Sequence, residues 1–262
     1  VSIPRTVWRL EPGLNVWSVL VAYRGSIAHG TYLPGRDPTS VDDKDVMAFC
    51  VPPLDHYYGL AQFGSRGTVE LVRDPWDIVI YEIRKVAEML EKGNPNVLSI
   101  LWLPDNLYLK RTPAGEILIR NRDVFVGRHV YRSFTHYAAA QLQAIEGGVY
   151  KGYMGDRRRA LVEQFGYDTK NASHLIRLLR QGIEFLNDGH LYVQRHDAAE
   201  LVAIKRGEWP LERVKAEAER LFRRADDAYD RSTLPVQPDH ARVNELCVEV
   251  VHEALHARGE AR

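Results

Sequence analysis

Cysteine is nearly absent: Cys50 and Cys247 are the only two in 262 residues, far apart and each set among apolar neighbours. That excludes a disulfide framework, reads as two reduced core thiols, and predicts a cytoplasmic protein. Net charge is absent as well, because 35 lysines and arginines balance 35 aspartates and glutamates. A basic field over the whole molecule is thereby excluded, and any phosphate-binding site must arise from local patterning. No apolar run reaches membrane-spanning length, and residues 1–10 hold two arginines and a proline but no signal-peptide core. The expectation is therefore no membrane partner, and Val1 in place of an initiator methionine reads as a processed start. Internal repeats and low-complexity tracts are also missing. What remains, with 45% hydrophobic and 27% charged residues, is the composition of a chain that folds around a sizeable core.

Along the chain the period of the apolar residues changes. Residues 16–23 read as a buried strand ending in a turn at Gly25, residues 44–51 as a second strand, and 67–72 as a third. Between the first two lies a loop dense in turn formers, with Gly30, Pro34, Gly35, Asp37, Pro38 and Ser40. A strand over 77–81 passes without a break into a helix over 82–92, which Gly93-Asn-Pro95 stops. From about residue 125, helix-period segments take over at 126–145, 157–165, 170–187, 211–224 and 243–256, with a short excursion at 191–195 that suggests a β-hairpin edge. The mixed-sign run 215–231 reads as a solvated helix face. The predicted organisation is an N-terminal α/β domain over 1–124 and a helical domain over 125–262.

Three local patterns carry chemistry. The turn Gly25-Ser-Ile-Ala-His-Gly-Thr31 can bring backbone N–H groups and small hydroxyls to phosphate oxygens, since glycine has no Cβ to block approach; a plain strand-to-helix turn capped by Ser26 or Thr31 has the same composition. In Ser40-Val-Asp-Asp-Lys-Asp-Val46, an extended backbone puts Asp43 and Asp45 on one face and Asp42 and Lys44 on the other. Two converging carboxylates suit Mg²⁺ or Mn²⁺, which take oxygen ligands together with substrate phosphates, though an Asp-x-Asp also suits a solvated loop. Asp77 opens a buried apolar strand, where a carboxylate needs a cation or hydrogen-bond donors, or caps the helix that follows.

The order of strand, Gly-Ser turn, loop, Asp-x-Asp strand and later single-Asp strand resembles the DNA polymerase beta-like nucleotidyltransferase superfamily. Gly25-Ser26, His29-Gly-Thr31, Ser40 with Asp43-x-Asp45, Asp77 with Tyr81 and Lys85, and Gly93-Asn-Pro95 are similar to its branch of RNA-ligase-associated predicted nucleotidyltransferases. The similarity continues at Tyr137, Gln141, Lys170-Asn-Ala-Ser-His174, Arg177 and Leu234-Pro235, so it spans most of the chain. The resemblance implies an α+β fold, with an N-terminal mixed β-sheet flanked by helices and a helical C-terminal domain. It implies transfer of a nucleoside monophosphate from an NTP such as ATP to an acceptor hydroxyl, on RNA, a protein or a small molecule. Asp43, Asp45 and Asp77 would hold the metals, with Asp77 near the incoming hydroxyl, and Gly25 and Ser26 would hold the triphosphate.

Asp42 makes the register of the carboxylate cluster ambiguous; Val46 directly after Asp45 favours Asp43 and Asp45 as ligands and leaves Asp42 outward, paired with Lys44 or solvent. His29, Thr31 and Arg36 reach nucleotide or acceptor if the long loop is an ordered lid, and are surface residues otherwise. Lys170, His174 and Arg177 follow i, i+4, i+7 and form one stripe that can meet phosphates. On another helix, Tyr131, His136 and Tyr137 read as core packing. Arg157-Arg-Arg159 near Lys151 is the candidate nucleic-acid backbone contact, against a plain solvated helix start. Two other classes fit the same residues: a nucleotide- or RNA-binding module without turnover, and a metal-dependent phosphohydrolase.

Overall fold

The computed structural model describes residues 3–147 and 155–260. They form two compact units that interleave along the chain. One holds the described residues up to Ala28, then Asp43–Val126 and those from Gln237 onward; the other holds His29–Asp42 and Gly127–Val236.

The first unit is built on a sheet. Strand β1 (Ser18–Tyr23) is buried at every position and runs into a single-turn helix, α1 (Gly25–His29). Strand β2 (Lys44–Cys50) is buried from Val46 onward, β3 (Thr68–Arg73) is largely open to solvent, and β4 (Trp76–Glu82) is buried at five of its seven positions. Near-continuous apolar runs mark strands covered on both faces, whereas the open β3 reads as an edge. The order is β3-β4-β2-β1 followed by a fifth strand, β5 (Tyr108–Arg111), with β2 parallel to β4 and the remaining pairs antiparallel. Alternate residues Val21 and Tyr23, Val46, Ala48 and Cys50, and Trp76, Ile78 and Ile80 share one core cluster with Leu14 and Phe63. Asp45 and Asp77 have the opposite parity on their strands and so leave the sheet on its other face.

After β4 the chain enters helix α2 (Ile83–Glu91), whose buried Ile83, Val86 and Leu90 recur at helical spacing. Gly93 follows in the left-handed region (φ +68), and the Asn94 side chain accepts from the N–H groups of Asn96 and Val97 to start a short helix with Pro95 at its first position. Each residue of Gly93-Asn-Pro95 thus has a local job: stop, cap and start. Strand β5 (Tyr108–Arg111), which the sequence pattern does not announce, pairs along β1 and leads to helix α3 (Pro113–Arg120).

The second unit is helical: α4 (Val130–Gly147), α5 (Asp156–Phe165), α6 (Thr169–Asp188), α7 (Ala198–Lys205) and α8 (Leu211–Arg231). Its centre is α6, which packs against α4, α7 and α8. A Cβ on Gly182 would lie 3.0 Å from that of Phe134, so glycine allows a close α6–α4 approach. Helix α8 runs beyond its expected end at 224 because Ala225 and Ala228 continue the buried stripe of Val214, Ala218 and Leu221 under a charged outer face. The expected hairpin edge at 191–195 is corrected. Leu191, Val193 and Arg195 are buried and Tyr192 exposed, so the alternation is real, but no strand forms there. Val193 and Arg195 bond His29 instead. The last helix, α9 (His240–Ala257), returns to the sheet unit and lies against α2 and α3.

The fold is therefore α+β, an N-terminal mixed sheet with flanking helices followed by a helical region. No helix of the described residues is long and apolar enough to cross a membrane.

Candidate active site

Sheet register brings the sheet-unit candidates together. In the parallel β2–β4 ladder Asp45 lies directly opposite Asp77, and the N–H of Arg24, the residue after β1, donates to the Asp45 carbonyl at 3.0 Å. The exit of β1 and the entries of β2 and β4 thus meet at one end of the sheet. Two carboxylates on neighbouring strands repel unless a cation lies between them. Here the Arg24 guanidinium does, 3.3 Å from Asp77 Oδ2 and 3.6 Å from Asp45 Oδ1, while its buried Nε has no partner.

Gly25 lies against Asp45 with φ +61, and a Cβ built on it would stand 2.5 Å from Asp45 Oδ2. Glycine is required there on two counts, left-handed backbone and contact with the carboxylate. Ser26 is buried and its Oγ has no hydrogen-bond partner, an orphaned donor that a ligand oxygen would satisfy. Asp43 is exposed, one residue before β2. Among the described residues, no group of three or more His, Cys, Asp or Glu is gathered closely enough to hold a metal ion by itself.

Asp42 goes elsewhere, and the expectation that it pairs with Lys44 or solvent is corrected. Its side chain is 2% exposed, in the helical unit, and accepts from Lys205 Nζ at 2.7 and 3.0 Å and from the Leu33 N–H at 3.0 Å, with Lys170 Nζ at 3.5 Å. Lys44 instead sits over the Trp76 ring, 5.1 Å from its centroid. Lys205 is the partner of Asp42 that sequence reading missed: nothing local distinguishes a lysine at a helix end from a solvated one.

Of the helical-unit candidates, His29, Thr31 and Arg177 are buried and Lys170 and His174 half-buried. His29 is buried, its Nδ1–H donates to the Val193 carbonyl at 3.0 Å, and burial together with Arg177 holds its pKa well below the usual imidazole value. Thr31 is buried and its carbonyl accepts from Lys205 at 2.9 Å. The loop after it is packed: Leu33 and Ser40 are buried, and Ser40 Oγ donates to the Leu33 carbonyl at 2.6 Å. Arg36 stays exposed. On α6, Lys170 donates to the Val41 carbonyl at 2.9 Å, His174 is half-buried with its pKa lowered by burial and by Arg177, and Arg177 is 7% exposed. The expected stripe is thus an internal seam.

Other basic and aromatic candidates disperse. Arg157 donates to the Asp37 carbonyl at 2.8 Å and Arg158 pairs with Asp168 at 2.7 Å, so both serve the fold, while Arg159 is exposed; Lys151 lies outside the described residues. His136 and Tyr137 are exposed rather than core, and the Tyr131 hydroxyl donates to Asp226 at 2.6 Å. Leu234-Pro235 has a backbone role, since the Pro235 carbonyl accepts from the Arg128 N–H at 2.8 Å.

A mixed sheet that delivers paired carboxylates beside a Gly-Ser turn defines the DNA polymerase beta-like class. Over residues 9–249 the chain matches the model of the RNA repair pathway DNA polymerase beta family, and it belongs to that family. No curated protein matches it.

Proposed function

We propose that this protein transfers a nucleoside monophosphate from an NTP to an acceptor hydroxyl and releases pyrophosphate. The observation that carries the reading is the opposition of Asp45 and Asp77 across β2 and β4, with Gly25 against the Asp45 carboxylate and the orphaned Ser26 hydroxyl on the next residue of the chain. The acceptor oxygen forms a bond to the α-phosphorus, the bond to pyrophosphate breaks, and the hydroxyl proton passes to a carboxylate. Asp77 is assigned that proton. Ser26 donates to a phosphate oxygen, and Gly25 keeps the turn open against Asp45. The other nucleotide-phosphate contacts are assigned to His29, Thr31, Lys170, His174 and Arg177.

The observed pair suits Mg²⁺ or Mn²⁺: Asp45 and Asp77 both offer carboxylate oxygens, and the pair already requires a cation, the place Arg24 fills. Asp43, Asp45 and Asp77 would hold the metal, which when bound supplies Lewis-acid activation of the attacking and leaving oxygens. The family's RNA-repair description makes an RNA end the first acceptor to test, ahead of protein and small molecules. The two free cysteines, Cys50 buried and Cys247 half-buried, suit a cytoplasmic setting.

The test is incubation with Mg²⁺, labelled NTPs and RNA acceptors, reading pyrophosphate release and label transfer. Transfer to an RNA 3′ or 5′ end supports the reading, and no pyrophosphate with any acceptor overturns it. One observation favours a second reading, a nucleotide- or RNA-binding module without turnover: Arg24 already neutralises the carboxylates. Nucleotide binding that is indifferent to Mg²⁺, without pyrophosphate release, would support that module. A Gly25→Ala variant should lower transfer by roughly 10²-fold, because displacement of a reacting group by about 1 Å has an effect of that size. It should cost only about 1–2 kcal/mol of stability for the left-handed backbone. Steady-state rates beside thermal melts check both halves.

A further inference from the structure

The end of β4 away from Asp77 carries two clefts that the transfer chemistry does not use. Glu82 closes that strand, about 17 Å from Asp77 along an extended chain and on the opposite face. The first cleft, of about 360 Å³, is lined from the helical turn Asp55–Tyr58 and from α9 by Leu54, Tyr57, Tyr58, Val248 and Leu255. The second, of about 630 Å³, is lined by Phe63, Arg66, Glu82, Lys85 and Glu88. All of these residues belong to the sheet unit, and both volumes fall in the range of ligand sites.

Arg84 lines both clefts and is held in place. Its Nε donates to Glu82 Oε2 at 3.1 Å, and its guanidinium carbon lies 4.8 Å from the centroid of the Tyr57 ring. The Tyr57 hydroxyl donates to Glu82 Oε1 at 3.2 Å, and burial together with Glu82 raises its pKa, which keeps it a donor. The wall common to the two clefts is thus a closed network that also compensates the buried Glu82 carboxylate.

The clefts differ in chemistry. The first is apolar and aromatic, and its mouth is uncovered: Tyr58 is 87% exposed, and Leu60 nearby in the chain is fully exposed. The second is basic. Arg66 and Lys85 have no ion-pair partner among the described residues, whereas Glu82 is engaged by Arg84 and Glu88 by Lys92 at 3.9 Å. Arg66 also holds φ +50, a left-handed conformation that glycine adopts at lower cost, so the backbone gives no reason for an arginine there. Aromatic faces beside uncompensated cations suit a flexible nucleic-acid strand, because every base has a face to stack and every phosphate a charge to neutralise. A duplex hides its base faces, and an apolar peptide leaves Arg66 and Lys85 without partners.

We propose that the two clefts form one docking surface for single-stranded RNA, with a base against Tyr58 and phosphates against Arg66 and Lys85, which holds the acceptor strand away from the end that reacts. That the strand is RNA rests on the transfer reading above. The surface itself requires neither nucleotide nor metal.

The experiment is fluorescence anisotropy of a labelled single-stranded RNA of about 12 nucleotides, titrated with the full chain in EDTA, without NTP, at several salt concentrations. The wild type should bind. Tyr58→Ala should weaken binding about tenfold with the salt dependence unchanged, the effect of one lost stacking contact. Arg66→Gln should instead lower the slope of log affinity against log salt by about 0.7, the share of one single-strand phosphate contact. Both side chains are exposed, so thermal melts of the two variants should match the wild type. Equal affinity for single-stranded DNA supports the surface and assigns it no preference for the sugar; equal affinity for blunt duplex RNA overturns it. No RNA binding by the wild type, or unchanged affinity and slope in both variants, also overturns it. Self-association that depends on Tyr58, without RNA binding, overturns it in favour of a second copy of the chain. Failure of the transfer reading would appear separately, as absent pyrophosphate release in Mg²⁺ while RNA binding keeps its dependence on Tyr58 and Arg66.

Discussion

Asparagine at position 45 should lower pyrophosphate release by roughly 10³-fold, since a metal's Lewis-acid contribution is several kcal/mol and each 1.36 kcal/mol is about tenfold. The substitution keeps the volume of the side chain, and therefore the contact with Gly25, while removing the charge that a divalent cation requires. Arg24 keeps its 3.3 Å bond to Asp77, so the end of the sheet retains an ion pair and the fold should survive. Rates measured across a Mg²⁺ titration, with circular dichroism to confirm folding, check the result. Asp42→Asn is the internal control: it lies three residues away but in the helical unit, so its effect should fall on stability. Full transfer by Asp45→Asn would remove the metal assignment.

Lys205→Met should destabilise the protein by about 3 kcal/mol, the loss typical when one partner of a buried ion pair is removed. Asp42 would keep the Leu33 N–H and the more distant Lys170 but lose both Lys205 contacts, leaving a nearly enclosed carboxylate under-compensated. The Thr31 carbonyl would lose its Lys205 donor at the same time. Pairing the change with Asp42→Asn should recover most of the loss, because removing both charges leaves no buried ion to solvate. Urea unfolding of the wild type, both single variants and the double variant gives the coupling directly. A loss under about 1 kcal/mol for Lys205→Met would mean the pair behaves as an exposed one.

Much of the sheet unit was legible because its signals are local. The apolar runs of β1, β2 and β4, the alternation that puts Asp45 opposite in parity to Val46, and the Gly93-Asn-Pro95 punctuation each depend on a few adjacent residues. Where pairing depends on a distant partner, local pattern fails in both directions. Residues 191–195 alternate like a strand but spend their hydrogen bonds on His29, whereas Tyr108–Arg111 show little pattern and become a strand because β1 offers an edge. The polar seam of α6 had the expected spacing: Lys170, His174 and Arg177 share a face, but that face is buried at Arg177 and half-buried at Lys170 and His174. Arg24 carried no signal, since a basic residue after a strand is ordinary until β2 and β4 each bring a carboxylate to it.

By itself the sequence determined where the candidate groups lie on their strands: the parity of Asp43 and Asp45, an acid at the head of β4, and a glycine where the chain leaves β1. Backbone periodicity requires no knowledge of the rest of the molecule, which is why those features survive without it. Only the tertiary structure decided what each charge faces. Asp42 meets a lysine 163 residues away, Asp45 meets Asp77 and Arg24 through sheet register, and Arg177 is enclosed with Gln181 as its hydrogen-bond acceptor. The physical reason is that the energy of a charge depends on its burial and its neighbours, and both are set by packing between segments distant in sequence.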